Sequence, residues 1–350
     1  YCVGHEAFIK RSELTNGLCP LHQTEPEEIE EENYFFKLSK YKKELLEYLS
    51  QDKVILPEWR RKEALDFVQN MEDFSVSRNK NRISWGISIP GDDTQVMYVW
   101  FGAFVNYLST LGWPNNKEVF EKFWTNAERV QTAGKDMVKF QSVMWQGMLM
   151  SAGMPTTNTI VYHGFITGDG GIKMSKSIGN VINPSDIVAD YGADALRYFF
   201  LREINPFDDS PFTAERFKEA YNANLANGLG NLVSRIMKMA KDNLDSCPNL
   251  PEKSIPNEFF IFLDNFEFSK AMDYIWSEIG YMDLHIQTTE PFKLVKTDKE
   301  EGQKVISELV VRLYTVARML NPIMPETSAK IKELIKANKS PEAPLFLRKD

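Results

Sequence analysis

Ten residues constrain this chain more than any others: Gly168-Asp169-Gly170-Gly171-Ile172-Lys173-Met174-Ser175-Lys176-Ser177. The glycines give a backbone that bends sharply and can be approached closely. Lys173 and Lys176, three positions apart, offer two compact cations. The hydroxyls of Ser175 and Ser177 can donate to phosphate oxygens. Donors aimed at developing charge are usually the largest catalytic contribution, with about 10²–10³ in rate lost per donor removed. Such a segment suits a triphosphate whose charge grows as pyrophosphate leaves; a solvated basic loop is the plain alternative. The flanks narrow the choice. Thr159-Ile160-Val161-Tyr162 reads as a short buried strand, with His163-Gly164-Phe165 at its end. Asn183-Pro184-Ser185-Asp186 reads as a helix start, with Asn183 as cap, Pro184 in the first turn and Asp186 at the positive end. The loop therefore sits at the carboxyl end of a strand, where open α/β sheets bind ligands.

Lys173-Met174-Ser175-Lys176-Ser177 is the K-M-S-K-S motif of class I aminoacyl-tRNA synthetases. With His163-Gly164-Phe165-Ile166-Thr167 and Gly179-Asn180-Val181-Ile182 around it, the chain resembles the methionyl-tRNA synthetases in particular. The resemblance covers essentially the whole chain. It implies an α/β plus all-α protein: the second half of a Rossmann-type class I synthetase catalytic domain with a zinc-knuckle insertion remnant, followed by an anticodon-binding helix bundle. The expected division is residues 1–85 for the connective insertion remnant and its return helices, 86–210 for the Rossmann half, and 211–350 for the anticodon-binding helices.

A chain of 350 residues has room for two or three domains. Its net charge of −8 argues against indiscriminate nucleic-acid binding, so any RNA contact must use a local basic patch. Three cysteines form no disulfide framework and fit an intracellular, cytoplasmic protein. There is neither a secretory signal pattern nor a membrane-spanning apolar run. The sequence opens with Tyr1 inside a motif, and is expected to begin within a longer protein.

Cys2-Val3-Gly4-His5 and Cys19-Pro20-Leu21-His22 form two ligand pairs of equal spacing. Two thiolates and two imidazoles suit a closed tetrahedral Zn²⁺ site; two half-buried cysteines with unrelated histidines are the alternative. The resembled family carries a knuckle here, usually with Cys where this chain has His5. Leu38, Tyr41, Leu45 and Leu49 keep a helical stripe, and Pro57 starts another helix with Leu65 and Val68 inward.

Residues 73–78 form a turn-rich stretch in which Arg78 either faces solvent or pairs a carboxylate. Residues 95–100 read as a strand, which puts Trp100 at its carboxyl end; Ala103, Phe104 and Tyr107 follow on the next helix and can share a wall with it. Gly134-Lys135-Asp136 precedes a further helix, on which Phe140, Gln141 and Trp145 stand close together. Ordinary core packing is the alternative for all of these aromatics. The resemblance implies that Trp100, Ala103, Phe104, Tyr107, Phe140 and Gln141 line a methionine pocket. It puts Arg78 near Asp136 beside that pocket, and His163, Gly164 and Ile166 near adenine or ribose. A flat aromatic wall suits a thioether, at ~0.3–1.5 kcal/mol per sulfur–aromatic contact. Family members usually have Asp where this chain has Gly102, and many have His where it has Gln141.

Asp194 and Arg197 lie i, i+3 on one helix and read as structure beneath the lysine loop. Helical pattern then fills 215–244, 257–281, 302–320 and 325–337, with Val305, Leu309, Leu313, Val316 and Leu320 in one stripe ended by Pro322. Asn231 and Arg235 are i, i+4; cap and surface charge are their plain reading. By resemblance they read anticodon bases, and Phe292 stacks one.

The expected function is that of a methionine–tRNA ligase: methionine and ATP, with Mg²⁺, give methionyl-adenylate, and the methionyl group passes to tRNA(Met). Lys173 and Lys176 hold the departing pyrophosphate, and the protein acts as a monomer. The class I signature His-Ile-Gly-His is absent, so the segment by itself is expected to have little activity. A non-catalytic tRNA-binding fragment and a class I synthetase for another apolar amino acid are the alternatives.

Overall fold

The structure is a computed structural model that describes residues 1–3, 9, 11–20, 22–28, 30–172, 174, 180–252 and 255–350. The chain divides into two compact units, Tyr1–Tyr162 and His163–Asp350.

The first unit is built on a three-stranded sheet ordered Ile55–Leu56, Thr159–His163, Val130–Gly134. Ile55 pairs Ile160 and Leu56 pairs Val161 in parallel register. The apolar run Ile160–Tyr162 is buried throughout, as expected of a parallel strand covered on both faces. The helices Lys42–Leu49 and Arg60–Gln69 lay Leu45, Leu49, Ala64 and Val68 into the same core. The expected stripe holds, with two adjustments. Residues Leu38–Tyr41 form a 3₁₀ turn before the helix proper. On the next helix, Ala64 and Val68 are the fully buried pair while Leu65 is half-buried.

A second, antiparallel sheet joins Ser77–Asn79, Asp92–Met97 and Ser88–Ile89. Its register, Ser77 with Met97 and Arg78 with Val96, explains a difference from the sequence reading. The strand starts at Asp92 and stops at Met97, because its length follows its long-range partners and not its own apolar pattern. Trp100 therefore belongs to the first turn of the helix Val99–Ala103.

In the second unit, Asn183 accepts the Ser185 N–H and Pro184 occupies the first turn, which is the expected start for the helix Pro184–Tyr191. The helix Ala193–Arg202 follows, and the rest is a helical assembly. Residues 214–243 run without a break from an α-helical turn through a π-helical stretch at Tyr221–Gly230 into the helix Asn231–Asn243. Beyond them lie Asn257–Asp264, Phe268–Thr289, Pro291–Thr297, Lys299–Leu320 and Pro325–Lys336.

The expected helix over 257–281 is two helices, because Phe266 takes a left-handed φ of 58° between them. Glu290, at φ 41°, sets off the unexpected short helix Pro291–Thr297. The stripe Val305, Leu309, Leu313, Val316, Leu320 is fully buried, as an amphipathic core helix requires. The Asp298 side chain caps that helix by accepting the Glu301 N–H, which brings its start forward to Lys299.

Asp194 also supports this packing. It is buried, and its Oδ2 accepts the Thr327 N–H at 2.7 Å, in the first turn of Pro325–Lys336. Arg197 lies 3.9 Å from the other oxygen and is more than half exposed, so it adds little. The carboxylate satisfies a helix N–H that has no partner within its own helix and meets the positive end of the dipole. Replacing Asp194 with Ala is expected to lower stability by about 1–3 kcal/mol, read as a lower denaturant midpoint with unchanged slope.

Candidate active site

Trp145 organises the aromatic residues of the first unit. It is 1% exposed and lies where a helix changes pitch. Residues Lys139–Met144 are π-helical, and the Trp145 N–H donates to the Phe140 carbonyl, an i to i+5 bond. The wider turn brings residues five apart onto one face, so Phe140 and Trp145 look the same way.

Phe104 stacks on Trp145 at 5.6 Å and 21°, and Tyr107 tilts against it at 5.8 Å. Trp100 closes the group, 5.7 Å from Phe104 and 5.4 Å from Phe140. Phe104 is buried, whereas Trp100, Ala103, Tyr107 and Phe140 are half-buried. The structure thus brings Trp100, Phe104, Tyr107 and Phe140 together as one wall with an accessible side. Gly102 is no obstacle there: a Cβ on it would meet only the Met97 sulfur, at 3.5 Å.

Gln141 is buried behind the wall and donates from Nε2 to Gln131 Oε1 at 2.6 Å. Thr157 Oγ1 donates to the same oxygen at 2.8 Å, and Gln146 Nε2 donates to Thr157 Oγ1 and to the Gln141 carbonyl. Four buried polar side chains therefore fix one another, and the orientation of the Gln141 amide is set by Gln131. Sequence reading missed Gln131, which lies on a strand ten residues upstream where nothing in the local pattern marks it. Nearby, Ser142 and Tyr162 share a hydroxyl contact of 2.5 Å, and burial pushes the Tyr162 phenol well above its ordinary pKa, so it stays neutral.

Arg78 is 2% exposed. Its Nη1 donates to Ser75 Oγ at 2.9 Å and to the Ser77 carbonyl at 2.7 Å, and the guanidinium lies 4.0 Å over the Tyr98 ring. These bonds go to its own strand region and not to Asp136, which is exposed in the turn Lys135–Met137. A cleft of about 1140 Å³ opens beside Arg78, lined also by Tyr98, Phe140, Phe74, Trp59 and Met144.

In the second unit the strand end His163 is exposed, with Nδ1 2.9 Å from the Gly164 carbonyl. Gly164 is pressed against backbone: a Cβ there would lie 2.2 Å from the Asp208 carbonyl. Only glycine fits that approach. Ile166 follows in a short parallel pair with Ser210. Gly170 and Gly171 take left-handed φ of 65° and 77°, which gives the backbone its sharp bend, closed by the Gly168 N–H on the Ile172 carbonyl at 2.7 Å. Lys173, Ser175, Lys176 and Ser177 lie outside the described residues.

At the amino-terminal end, Cys2 Sγ, Cys19 Sγ and a ring nitrogen of His22 lie within 4.8 Å of one another. His22 Nδ1 is 3.8 Å from Cys2 Sγ and 3.7 Å from Cys19 Sγ. Both thiols are buried and neither is in a disulfide. His5 lies outside the described residues. In the helical unit, Asn231 is exposed and Arg235 half-exposed on one face of their helix, and Arg235 pairs with Asp283. Phe292 is 45% exposed on the short helix Pro291–Thr297, with the Lys293 ammonium 5.9 Å over its ring. Both helices pack against Lys299–Leu320. No helix among the described residues is long and apolar enough to cross a membrane.

The family model described as tRNA synthetases class I (M) matches residues 2–237. This chain belongs to that family. A methionine–tRNA ligase of Fusobacterium nucleatum is 36% identical over 353 residues, covering 95% of this chain and 54% of its own length. The corresponding protein of a Nostoc species is 36% identical, with 95% and 66% covered. This class I (M) synthetase chain thus spans about half the length of the first of these relatives.

Mycobacterium tuberculosis methionyl-tRNA synthetase bound by methionyl-adenylate matches with a TM-score of 0.87 and 31% identity over 99% of this chain and 76% of that one. A second structure of that enzyme, also in complex with methionyl-adenylate, gives 0.84 and 33%, with 95% and 69% covered. The class I synthetase fold, with its large helical content, is therefore the fold of this chain.

Proposed function

We propose that this chain carries the amino-acid-binding wall, the pyrophosphate-binding loop and the RNA-reading helices of a methionine–tRNA ligase. The observation that carries the reading is the half-open wall of Trp100, Phe104, Tyr107 and Phe140, in a chain of the class I (M) family. An unbranched thioether fits such a wall, because sulfur contacts aromatic rings favourably and needs no polar partner. The reaction joins the methionine carboxylate to the α-phosphorus of ATP and releases pyrophosphate. A hydroxyl of the terminal ribose of tRNA(Met) then attacks the methionyl carbonyl, and AMP leaves as the ester forms.

No protein nucleophile is needed, and catalysis is positioning and charge stabilisation. Lys173 and Lys176 balance the charge on the leaving pyrophosphate, with Ser175 and Ser177 as further donors. His163, Gly164 and Ile166 hold adenine or ribose at the strand end. Mg²⁺ enters with ATP as part of that substrate.

Trp100, Ala103, Phe104, Tyr107, Phe140 and Gln141 shape the pocket, with Arg78 and Asp136 at its polar end. Residues 1–85 serve as the insertion remnant, 86–210 as the second half of the Rossmann-type domain, and 211–350 as the anticodon-binding helices, where Asn231, Arg235 and Phe292 meet the triplet.

The donor set at the amino-terminal knuckle suits Zn²⁺. Two donors of one tetrahedral zinc, S at ~2.3 Å and N at ~2.0–2.1 Å, stand about 3.6 Å apart, close to the 3.7 Å and 3.8 Å separations of His22 from the two thiols. Cys2, Cys19 and His22 would hold the ion, with His5 as fourth ligand; it would supply folding stability to a segment with little core of its own.

Metal analysis of the purified protein is expected to give one zinc per chain, falling to near zero after Cys19→Ser; no zinc in the unaltered protein contradicts the site. Methionine-dependent exchange of pyrophosphate into ATP by the full-length gene product tests the function. Trp100→Ala is expected to raise KM for methionine by about thirtyfold, equivalent to about 2 kcal/mol of lost apolar and sulfur contact, with a smaller change in kcat. Exchange driven by another apolar amino acid in preference to methionine contradicts the reading.

A further inference from the structure

Arg235 reaches from the helix Asn231–Asn243 to the neighbouring helix Phe268–Thr289, where its Nη1 donates to Asp283 Oδ1. The other oxygen of that carboxylate, Oδ2, accepts Gln287 Nε2 at 2.7 Å. Asp283 and Gln287 are one helical turn apart, beside the buried anchors Met282 and Ile286. The carboxylate is thus held through both oxygens on a rigid element.

The pair is exposed by about two-fifths on each side, so its contribution to stability is small. Its effect is directional. A guanidinium is a planar, rigid fork of five donors, and a tether through one nitrogen restricts the directions in which the rest can point. The remaining donors of Arg235 have no partner among the described residues, and exposed Asn231 stands one turn away on the same helix.

We propose that Asp283 is a positioning residue for RNA recognition: it sets the plane in which Arg235 offers its free donors to two adjacent acceptors on the edge of an unpaired base. The proposal rests on the anticodon-reading role given to Arg235 above. The carboxylate has a second consequence. Phosphate contacts carry no sequence information, whereas base-edge contacts do. A lysine-like free cation at this place would attract any RNA backbone, and Asp283 cancels that attraction while leaving the fork aimed. Affinity for arbitrary RNA is lowered and discrimination between bases is kept, in line with a chain whose overall charge is −8.

Binding of short RNA hairpins by the full chain provides the test. One hairpin carries CAU in its loop, and the others carry a change at each base of the triplet. Asp283→Ala is expected to reduce the preference for CAU by roughly tenfold, the scale of one well-made base contact. It is also expected to steepen the log–log salt dependence by about 0.7, as one cation is uncovered to a single-stranded backbone. Asp283→Asn keeps an acceptor but loses the charge, so it should steepen the salt dependence equally while retaining most of the preference.

Arg235→Ala is the reference. If it loses the preference while Asp283→Ala retains it, or if Asp283→Ala weakens every hairpin by the same factor, the positioning role is overturned. If Arg235→Ala itself leaves the preference intact, the RNA-reading role of Arg235 falls, and the role of Asp283 falls with it.

Discussion

Burial of one indole determines the geometry of the first unit. Trp145 sits at 1% exposure where a π-helical turn ends, and rings from two other stretches of sequence settle on it: Phe104 and Tyr107 from the segment after the antiparallel strand, Trp124 from the π-helical turn Glu121–Thr125. Each contact is an offset, tilted or edge arrangement, which aromatic quadrupoles favour. Because Trp145 cannot move without opening a large cavity, Phe140 and Trp100 in front of it are held as well. A wall of rings backed by a buried indole is rigid without any bonds of its own. The amide network of Gln131, Gln141, Gln146 and Thr157 does for the polar side what the rings do for the apolar side, since buried side chains that hydrogen-bond one another admit few alternative arrangements.

The second unit solves a different problem. Its glycine turn needs left-handed φ at Gly170 and Gly171 and a near contact of Gly164 with the Asp208–Asp209 peptide. These are backbone requirements, met by residue choice and not by packing. The helices beyond are the opposite case, stabilised by the long buried stripe of Lys299–Leu320 and by a single carboxylate, Asp194, that ties the helix Ala193–Arg202 to the start of the last helix. Rigid aromatic wall, permissive glycine turn and helix assembly are three separate physical devices in one chain.

What could be read from the sequence was what local chemistry or a regular period encodes. The cap at Asn183 and the stripe from Val305 to Leu320 depend on neighbours in the chain, and the structure shows both where they were expected; the sharp glycine bend and the grouping of Cys2, Cys19 and His22 follow from equally regular sequence patterns. Features that depend on distant partners were not legible. The strand Asp92–Met97 takes its limits from Ser77–Asn79, so its ends were misplaced by three residues. Asp194 bonds to a residue 133 positions away, and Gln131 became visible only as the partner of Gln141. The breaks at Phe266 and Glu290 were missed because both are ordinary residues in left-handed conformations, set by the packing of the helices on either side.

The central claim is that the wall around Trp100 binds the methionine side chain. Titrating the full-length gene product with methionine while following tryptophan fluorescence tests it most directly. A saturable change in emission that disappears in Trp100→Phe, with binding retained by calorimetry, is the predicted result. An unaltered response in Trp100→Phe would place methionine elsewhere and contradict the account.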